Sequence, residues 1–377
     1  MKTVDRVLSS CMRAASLVLP VFTLSGIYVG GVWNYTGFAF IFGSYFAAEL
    51  ILWVSGAGIS ARPEDERSPQ NAPELSLTDR YGLQVFVLLH LISFFVSLFL
   101  LSKNPIGLEL LGGILSLGVQ AGSIGGLSGH EFLHSRKKFE KFLGLMTYGV
   151  MNYAHFEVSH LYGHHRFVGT ESDWSTARSG ESYYRFWYRA VVHGYLGAWK
   201  LECEILKRRK KSVISLLNRP LVYALLQVAL FVSIVALWGL QAGLVQILIS
   251  IVAWSQIEAI NYMSHYGLVR RKDANGRLEK ISGLHSWESN NKATNWFVFN
   301  TGKHAHHHAD QCASHYELKL SHLGDYIPLG LPTMTLVSLI PPLFFAIMDP
   351  QVQKRRELVE RKSALWREEP LEQVSSM

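Results

Sequence analysis

The 377-residue chain is poor in charge, poor in cysteine and free of internal repeats and low-complexity tracts. Asp, Glu, Lys and Arg make up 17% of it, where a soluble domain has roughly a quarter, while 49% is hydrophobic and the mean hydropathy is +0.15. A soluble globule is therefore not expected. Three cysteines (Cys11, Cys203, Cys312), odd in number and far apart, give neither a disulfide framework nor a Cys-x-x-Cys site, which excludes four-cysteine iron chemistry within this chain. No Gly-x-Gly-x-x-Gly turn is present to bind a dinucleotide. What is plentiful is apolar sequence in runs of twenty or more residues, the mark of an integral membrane protein.

Six such runs, near 12–33, 35–59, 81–102, 106–129, 219–239 and 242–265, are long enough to cross about 30 Å of hydrocarbon. They predict an all-α integral membrane protein with six transmembrane helices in three hairpins. The first is no cleavable signal, because no small-residue cleavage site follows it and the second begins almost at once. Of the 36 Lys and Arg residues, 35 fall on one side of these spans, Lys103 being the exception. By the positive-inside rule that side is cytoplasmic and holds both termini. The net charge of +7 is explained by basic groups beside anionic lipid and needs no nucleic acid. The Asn34-Tyr35-Thr36 sequon in a short outer turn reads as chance.

The chemistry is expected in the cytoplasmic segments 130–218 and 266–330 of a single membrane-embedded domain, 1–377. The apolar stretch 330–347 is broken by Pro332, Pro341 and Pro342, and crossing there would carry Lys354, Arg355, Arg356, Arg361, Lys362 and Arg367 outside. It reads as interfacial or re-entrant. The charged tail 351–377 is predicted to be helical and dispensable for chemistry. The run 183–189, Tyr-Tyr-Arg-Phe-Trp-Tyr-Arg, suits an interfacial aromatic belt.

Eleven of sixteen histidines fall in four cytoplasmic clusters: His130/His134, His155/His160/His164/His165, His265, and His304/His306/His307/His308. Residues four apart share a helix face, so His130 with His134, His160 with His164, and His304 with His308 can each chelate one ion. The neighbours His165 and His307 point about 100° away, toward a second ion. First-row ions take about four to six ligands, so eight or nine imidazoles call for two metals. His130 ends the fourth span and His265 the sixth, which places the site at the cytoplasmic ends of the helices. The isolated His90, His193, His285, His315 and His322 read as packed or hydrogen-bonding residues.

His130-Glu131-Phe132-Leu133-His134 is literally H-E-x-x-H, the zinc-protease signature. One zinc, however, would leave the other three clusters without a role. A metal transporter would place its ligands at mid-membrane, and a non-catalytic scaffold would behave alike with and without metal.

At these clusters the chain resembles the integral-membrane non-haem di-iron monooxygenases, the alkane hydroxylase and xylene monooxygenase family of the fatty acid desaturase-like superfamily. The likeness covers roughly 120–350, through HEFLH (130–134), SHLYGHHR (159–166), SDWSTARSGESYYRF (172–186), NYMSHYGLVR (261–270), HSWESNN (285–291) and HAHHHAD (304–310). The Asn-Tyr-x-x-His-Tyr-Gly-Leu box sets it apart from membrane fatty-acid desaturases. The resemblance implies nine ligands for two irons: His130, His134, His160, His164, His165, His265, His304, His307 and His308. His306 stands where the family more often has a polar residue, so it either hydrogen-bonds or competes as a ligand; His155 has no counterpart and reads as structural. Carboxylates able to hold imidazole N–H groups are Glu131, Asp173, Glu181, Glu258 and Asp310.

The implied activity is O2-dependent hydroxylation of a terminal or benzylic methyl group of an n-alkane or alkyl-aromatic to a primary alcohol, with no side chain as nucleophile. Tyr316-Glu317-Leu318 looks closer to the xylene type and Met348-Asp349-Pro350 to the alkane type, leaving the substrate open. A lipid desaturase or hydroxylase on the same iron pair is the alternative enzyme. Trp53 is a candidate for limiting the length of an apolar substrate channel. Electrons must come from a separate protein, a rubredoxin or ferredoxin-type donor with an NAD(P)H reductase, docking where Arg136, Lys137, Lys138 and Arg166 attract an acidic carrier. The expected location is the bacterial cytoplasmic (inner) membrane.

Overall fold

The computed structural model describes residues 2–54, 56, 77–272 and 275–368. Helix α1 (Lys2–Val29) turns through a short 3-10 segment, Gly31–Tyr35, into α2 (Thr36–Val54). Next come α3 (Leu77–Leu101) and α4 (Leu108–Gln120), which passes through a π-helical turn, Ala121–Gly125, into α5 (Gly126–His134). On the histidine-bearing side lie α6 (Lys138–Val150), α7 (Phe156–Val158), a second π turn (Ser159–His164), α8 (His165–Phe167) and α9 (Tyr183–Arg208). Helices α10 (Arg219–Trp238) and α11 (Leu240–His265) form the last long hairpin. The remainder is α12 (Lys292–Phe297), α13 (His304–Ala309), α14 (Leu331–Ser338) and α15 (Pro341–Glu368), with a parallel pair of two-residue strands, β1 (Trp287–Glu288) and β2 (Asp325–Tyr326).

Among the described residues, six segments are long and apolar enough to cross a membrane: Ser9–Val29, Gly31–Val54, Tyr81–Leu101, Leu108–His134, Arg219–Trp238 and Leu240–His265. The predicted all-α, six-helix membrane architecture is thus found; positions 57–59 of the second run lie outside the described residues. The segments are not equivalent. Leu108–His134 is 78% buried and Arg219–Trp238 only 6%, which puts α4–α5 at the centre of the bundle and α10 against lipid.

The centre is built on small residues, as close helix approach in a membrane requires. A Cβ on Gly118 would lie 2.6 Å from Val252 Cβ, and one on Gly122 would lie 2.4 Å from the Ala253 carbonyl oxygen, so α4 runs directly against α11. Gly144 of α6 meets α5 in the same way, 2.8 Å from the Gly129 carbonyl oxygen for an added Cβ. These contacts fix the helix ends that carry His130, His134 and His265.

Polar side chains tie the ends together. Asn34 is buried, donates to the Glu109 carbonyl (2.8 Å) and accepts at its own carbonyl from Ser116 (2.7 Å), so the sequon residue is a structural link between the first outer turn and α4. His90 accepts from Gln120 inside the bundle (2.8 Å), which suits its reading as a packed residue. Asn218 caps α10 by accepting from the Leu221 amide (3.2 Å), with Pro220 in the first turn.

The stretch 330–347 is two helices, α14 and the start of α15, parted at Leu339–Ile340. Helix α15 continues into the charged tail, whose predicted helix is found as far as Glu368 and whose first turns carry structural contacts. Arg355 is buried, ion-paired with Asp325, and donates to the carbonyls of Gly283 (2.7 Å) and Leu323 (2.9 Å). Asp349 accepts from Tyr266 at the end of α11 (2.6 Å). Arg355 thus ties the tail to segments on either side of α13, and Asp349, just before the tail, ties α15 to the end of α11, roles invisible in a run of alternating charges.

Candidate metal centre

Nine histidines from five parts of the chain converge into two groups, the ligand nitrogens of each group all lying within 4.8 Å of one another. The first holds His130, His134, His160, His165 and His307; the second holds His164, His265, His304 and His308. In the first, the Nε2–Nε2 separations are 2.8 Å (His130–His160), 3.1 Å (His134–His160), 2.9 Å (His160–His165), 3.2 Å (His134–His165) and 3.1 Å (His165–His307). In the second, His304 Nε2 lies 3.1 Å from both His265 and His308 Nε2. Two nitrogens bound at right angles to one ion, each about 2.1 Å from it, sit about 3.0 Å apart. Three mutually close nitrogens such as those of His134, His160 and His165 cannot all satisfy one another by N–H···N bonds, and their converging lone pairs suit a shared cation. The donor set fits two first-row metals.

The pairing differs from helix arithmetic at one place. His130 with His134, and His304 with His308, share a group as i, i+4 residues do, and His307 departs to the other group. His160, however, shares its group with His165, not with His164. The cause is the π turn over Ser159–His164: its wider turn brings i and i+5 onto one side, so the expected chelate pair is split between the groups.

Burial, followed by the neighbouring imidazoles, pushes His160, His165, His304, His307 and His308 well below the ordinary histidine value. These rings are neutral at pH 7, as ligands must be. Orientation in the second group is set from behind. His164 donates from Nδ1 to Asp173 (2.8 Å), leaving its buried Nε2 with no protein partner and its lone pair free. His265 likewise donates from Nδ1, to the His285 carbonyl (2.9 Å), which turns its Nε2 toward His304 Nε2. Burial works to raise Asp173, yet His164 and the hydrogen bonds from His164, Thr176 and the Ser175 amide hold it below the usual carboxylate range.

Of the five carboxylates singled out, Asp173 alone is bonded to a grouped histidine. Glu131 accepts from the His315 amide (3.0 Å), Glu181 pairs with Arg189 (2.7 Å), Glu258 accepts from Tyr153 (2.9 Å) and Asn261 (3.2 Å), and Asp310 caps the Cys312 amide (3.1 Å). His306 lies outside both groups and accepts at Nδ1 from the Lys319 amide (3.0 Å). His155 is also outside, its ring packed between Tyr153 and Tyr195. Two contributors escaped sequence reasoning: the His285 carbonyl and Glu288. Burial raises Glu288 to about 7 against the amides of Ser321 and Ala305, the latter in the first turn of α13. A carboxylate beside Trp287 in HSWESNN was its one sequence signal.

Two cavities share Leu127 in their walls, and the smaller one touches the first group. One of about 50 Å³ lies among α2, α4, α11, α12 and α14, with Phe42, Ile124, Leu127, Ile260, Phe297 and Leu331 in its wall. A smaller one, about 10 Å³, is bounded by Leu127, His130, Glu131, Thr301, His307 and His315 among others. Trp53, at the end of α2, is 76% exposed and lines neither. The aromatic run 183–189 is divided: Tyr183 and Phe186 pack on Tyr262, while Tyr184 and Tyr188 are exposed.

Residues 108–337 match the fatty acid desaturase family model. The chain belongs to the fatty acid desaturase family. Within it, alkane 1-monooxygenase 1 of Alcanivorax borkumensis is 33% identical over 352 residues, covering 90% of this chain and 84% of the relative. Alkane 1-monooxygenase of Ectopseudomonas oleovorans is 32% identical, over 85% of this chain and 81% of that protein. The xylene/toluene monooxygenase hydroxylase component of Pseudomonas putida is 30% identical, over 88% and 86%. The resemblance carried by the histidine boxes is thereby confirmed, and the chain is a membrane monooxygenase of this family. The family match spans all nine grouped histidines, from α5 to α13.

Proposed function

We propose that this chain hydroxylates an unactivated methyl group of a hydrocarbon, an n-alkane or an alkyl-aromatic, at two irons held by the nine histidines. The observation that carries this reading is the juxtaposition of two convergent imidazole groups with an apolar cavity reaching into the membrane-spanning helices. Bound iron supplies the reductive activation of dioxygen, which neither imidazole nor zinc provides. The balance is RH + O2 + 2 electrons + 2 protons to ROH + H2O, with electrons from a separate rubredoxin or ferredoxin-type protein and its NAD(P)H reductase.

The chain's own work is positional. Asp173 and the His285 carbonyl hold His164 and His265 in the tautomer that frees Nε2. The walls around Phe297 and Leu331 keep water from an apolar substrate that arrives from the bilayer. The protein sits in the bacterial inner membrane with both termini cytoplasmic, and the donor docks on the face bearing Arg136, Lys137, Lys138 and Arg166. The family match itself favours a second reading, a lipid desaturase, which yields an alkene in place of an alcohol.

The test is iron and zinc content of the purified protein together with turnover of octane and p-xylene, supplied with NADH, reductase and donor. Two irons per chain with alcohol formed support the proposal and choose the substrate class. One zinc and no oxygen consumption sink it and return the H-E-x-x-H protease.

A further inference from the structure

Leu127 belongs to the walls of both cavities. It is buried on α5, three residues before His130 and four before Glu131, so all three lie on one helix face. On the membrane side, Val119, Ser123 and Ile124 lead along the same helix to it through the larger, apolar cavity. Beyond it the smaller cavity changes character, with His130 and His307 of the first group, Glu131, Thr301 and His315 on its wall. About 10 Å³ is room for a single small group, at the lower limit for one water molecule. His315 is 6% exposed, and its Nε2 is buried without a hydrogen-bond partner. A polar atom left so calls for a polar occupant.

We propose that the small cavity beyond Leu127 is the subsite for the reacting methyl group, and that Leu127 is the specificity-determining residue that lets a chain end through and bars the chain's interior. This deepens the hydroxylase reading and rests on it. A methyl end brings one narrow group past Leu127; a methylene in mid-chain would have to bring two arms through the same gap. The alcohol formed there meets the free Nε2 of His315, which accepts from its hydroxyl, and Glu131 holds the other side of that ring, 3.4 Å from His315 Nδ1. The same group that orients the product thus distinguishes it from the incoming hydrocarbon.

The experiment uses the full chain in lipid nanodiscs with 1-bromooctane, whose bromine is close in size to a methyl group. Bromine density between Leu127 and His130 in the wild type, absent in Leu127→Phe, is the expected result; bromine bound elsewhere overturns the assignment. With octane, Leu127→Ala raises internal alcohols relative to 1-octanol by roughly tenfold, and Leu127→Phe slows octane turnover by a similar factor, both at unchanged iron content. An unaltered alcohol ratio in Leu127→Ala, or loss of iron in both variants, makes Leu127 a packing residue and overturns the proposal. Failure of the wild type to oxidise octane and p-xylene, with bromine still in the small cavity, counts against the hydroxylase reading alone.

Discussion

The two histidine groups are built differently. The second has four imidazoles, all buried, and two of them are held from behind, His164 by Asp173 and His265 by a carbonyl. The first has five, of which His130 and His134 are only partly buried, and it borders the small cavity that leads to Leu127. One group is anchored and enclosed; the other is crowded with donors and open to a guest. The difference teaches a division of construction: the second group's rings are fixed by protein partners behind them, and the first group's rings face a cavity.

Ligand removal breaks that comparison most strongly. His304→Ala leaves three imidazoles in the enclosed group, and the expected result is a lowered iron content with hydroxylation at background, since the group has no spare donor to replace the lost nitrogen. His134→Ala leaves four in the open group, so its iron content should stay nearer the wild-type value. Metal analysis of the two variants decides it, and equal losses would show that the groups do not differ in redundancy.

Asp173→Asn tests the anchoring. The amide keeps the shape but can no longer favour the same imidazole tautomer, and removal of such a partner costs about 10–100-fold in metal affinity. Competition with a chelator should show that loss in Asp173→Asn and almost none in Glu131→Gln, because Glu131 serves His315 and not a grouped ring.

Much of this arrangement was legible in one dimension. Apolar runs of twenty residues permit little besides a spanning helix, and histidines repeated at i, i+4 at the ends of helices announce their own convergence. The split of His160 from His164 was not legible, because the π turn over Ser159–His164 adds a residue to the turn without any spacing that betrays it. Nor were the supporting carboxylates: Glu181 and Glu258 are as buried as Asp173, and only the fold gives them to Arg189 and Tyr153. Arg355 was hidden for a third reason, since a charge run looks solvated until a loop from 70 residues away closes over it.

That clamp yields a smaller effect. Arg355→Ala frees the Gly283 and Leu323 carbonyls and the partly exposed Asp325, and should cost about 2 kcal/mol of stability, less than a fully buried pair would. Because Gly283 begins the turn that ends at His285, the loss should reach the second group through His265 and leave the first group's iron in place. Denaturant midpoints with iron content in each variant measure both; a variant as stable as the wild type would show that the Arg355 contacts contribute no stability.

The smallest effect separates burial from metal binding. His155 is as buried as the grouped histidines but belongs to neither group, and burial lowers it to about 3. Below the ordinary value of 6.5 the unfolded chain takes up a proton that the folded chain refuses, so stability falls as pH falls, continuing until about 3. From pH 7 to pH 5 this one residue should remove about 2 kcal/mol. His155→Phe, which keeps an aromatic ring between Tyr153 and Tyr195, should recover that amount at pH 5 whether or not metal is bound. The grouped histidines behave otherwise: bound metal bars protons from them, so their share of the acid loss is at least as large in loaded protein as in metal-free protein. Denaturation of loaded and metal-free protein at the two pH values tells them apart, and a His155→Phe gain that changes with metal loading would tie this ring to the centre after all.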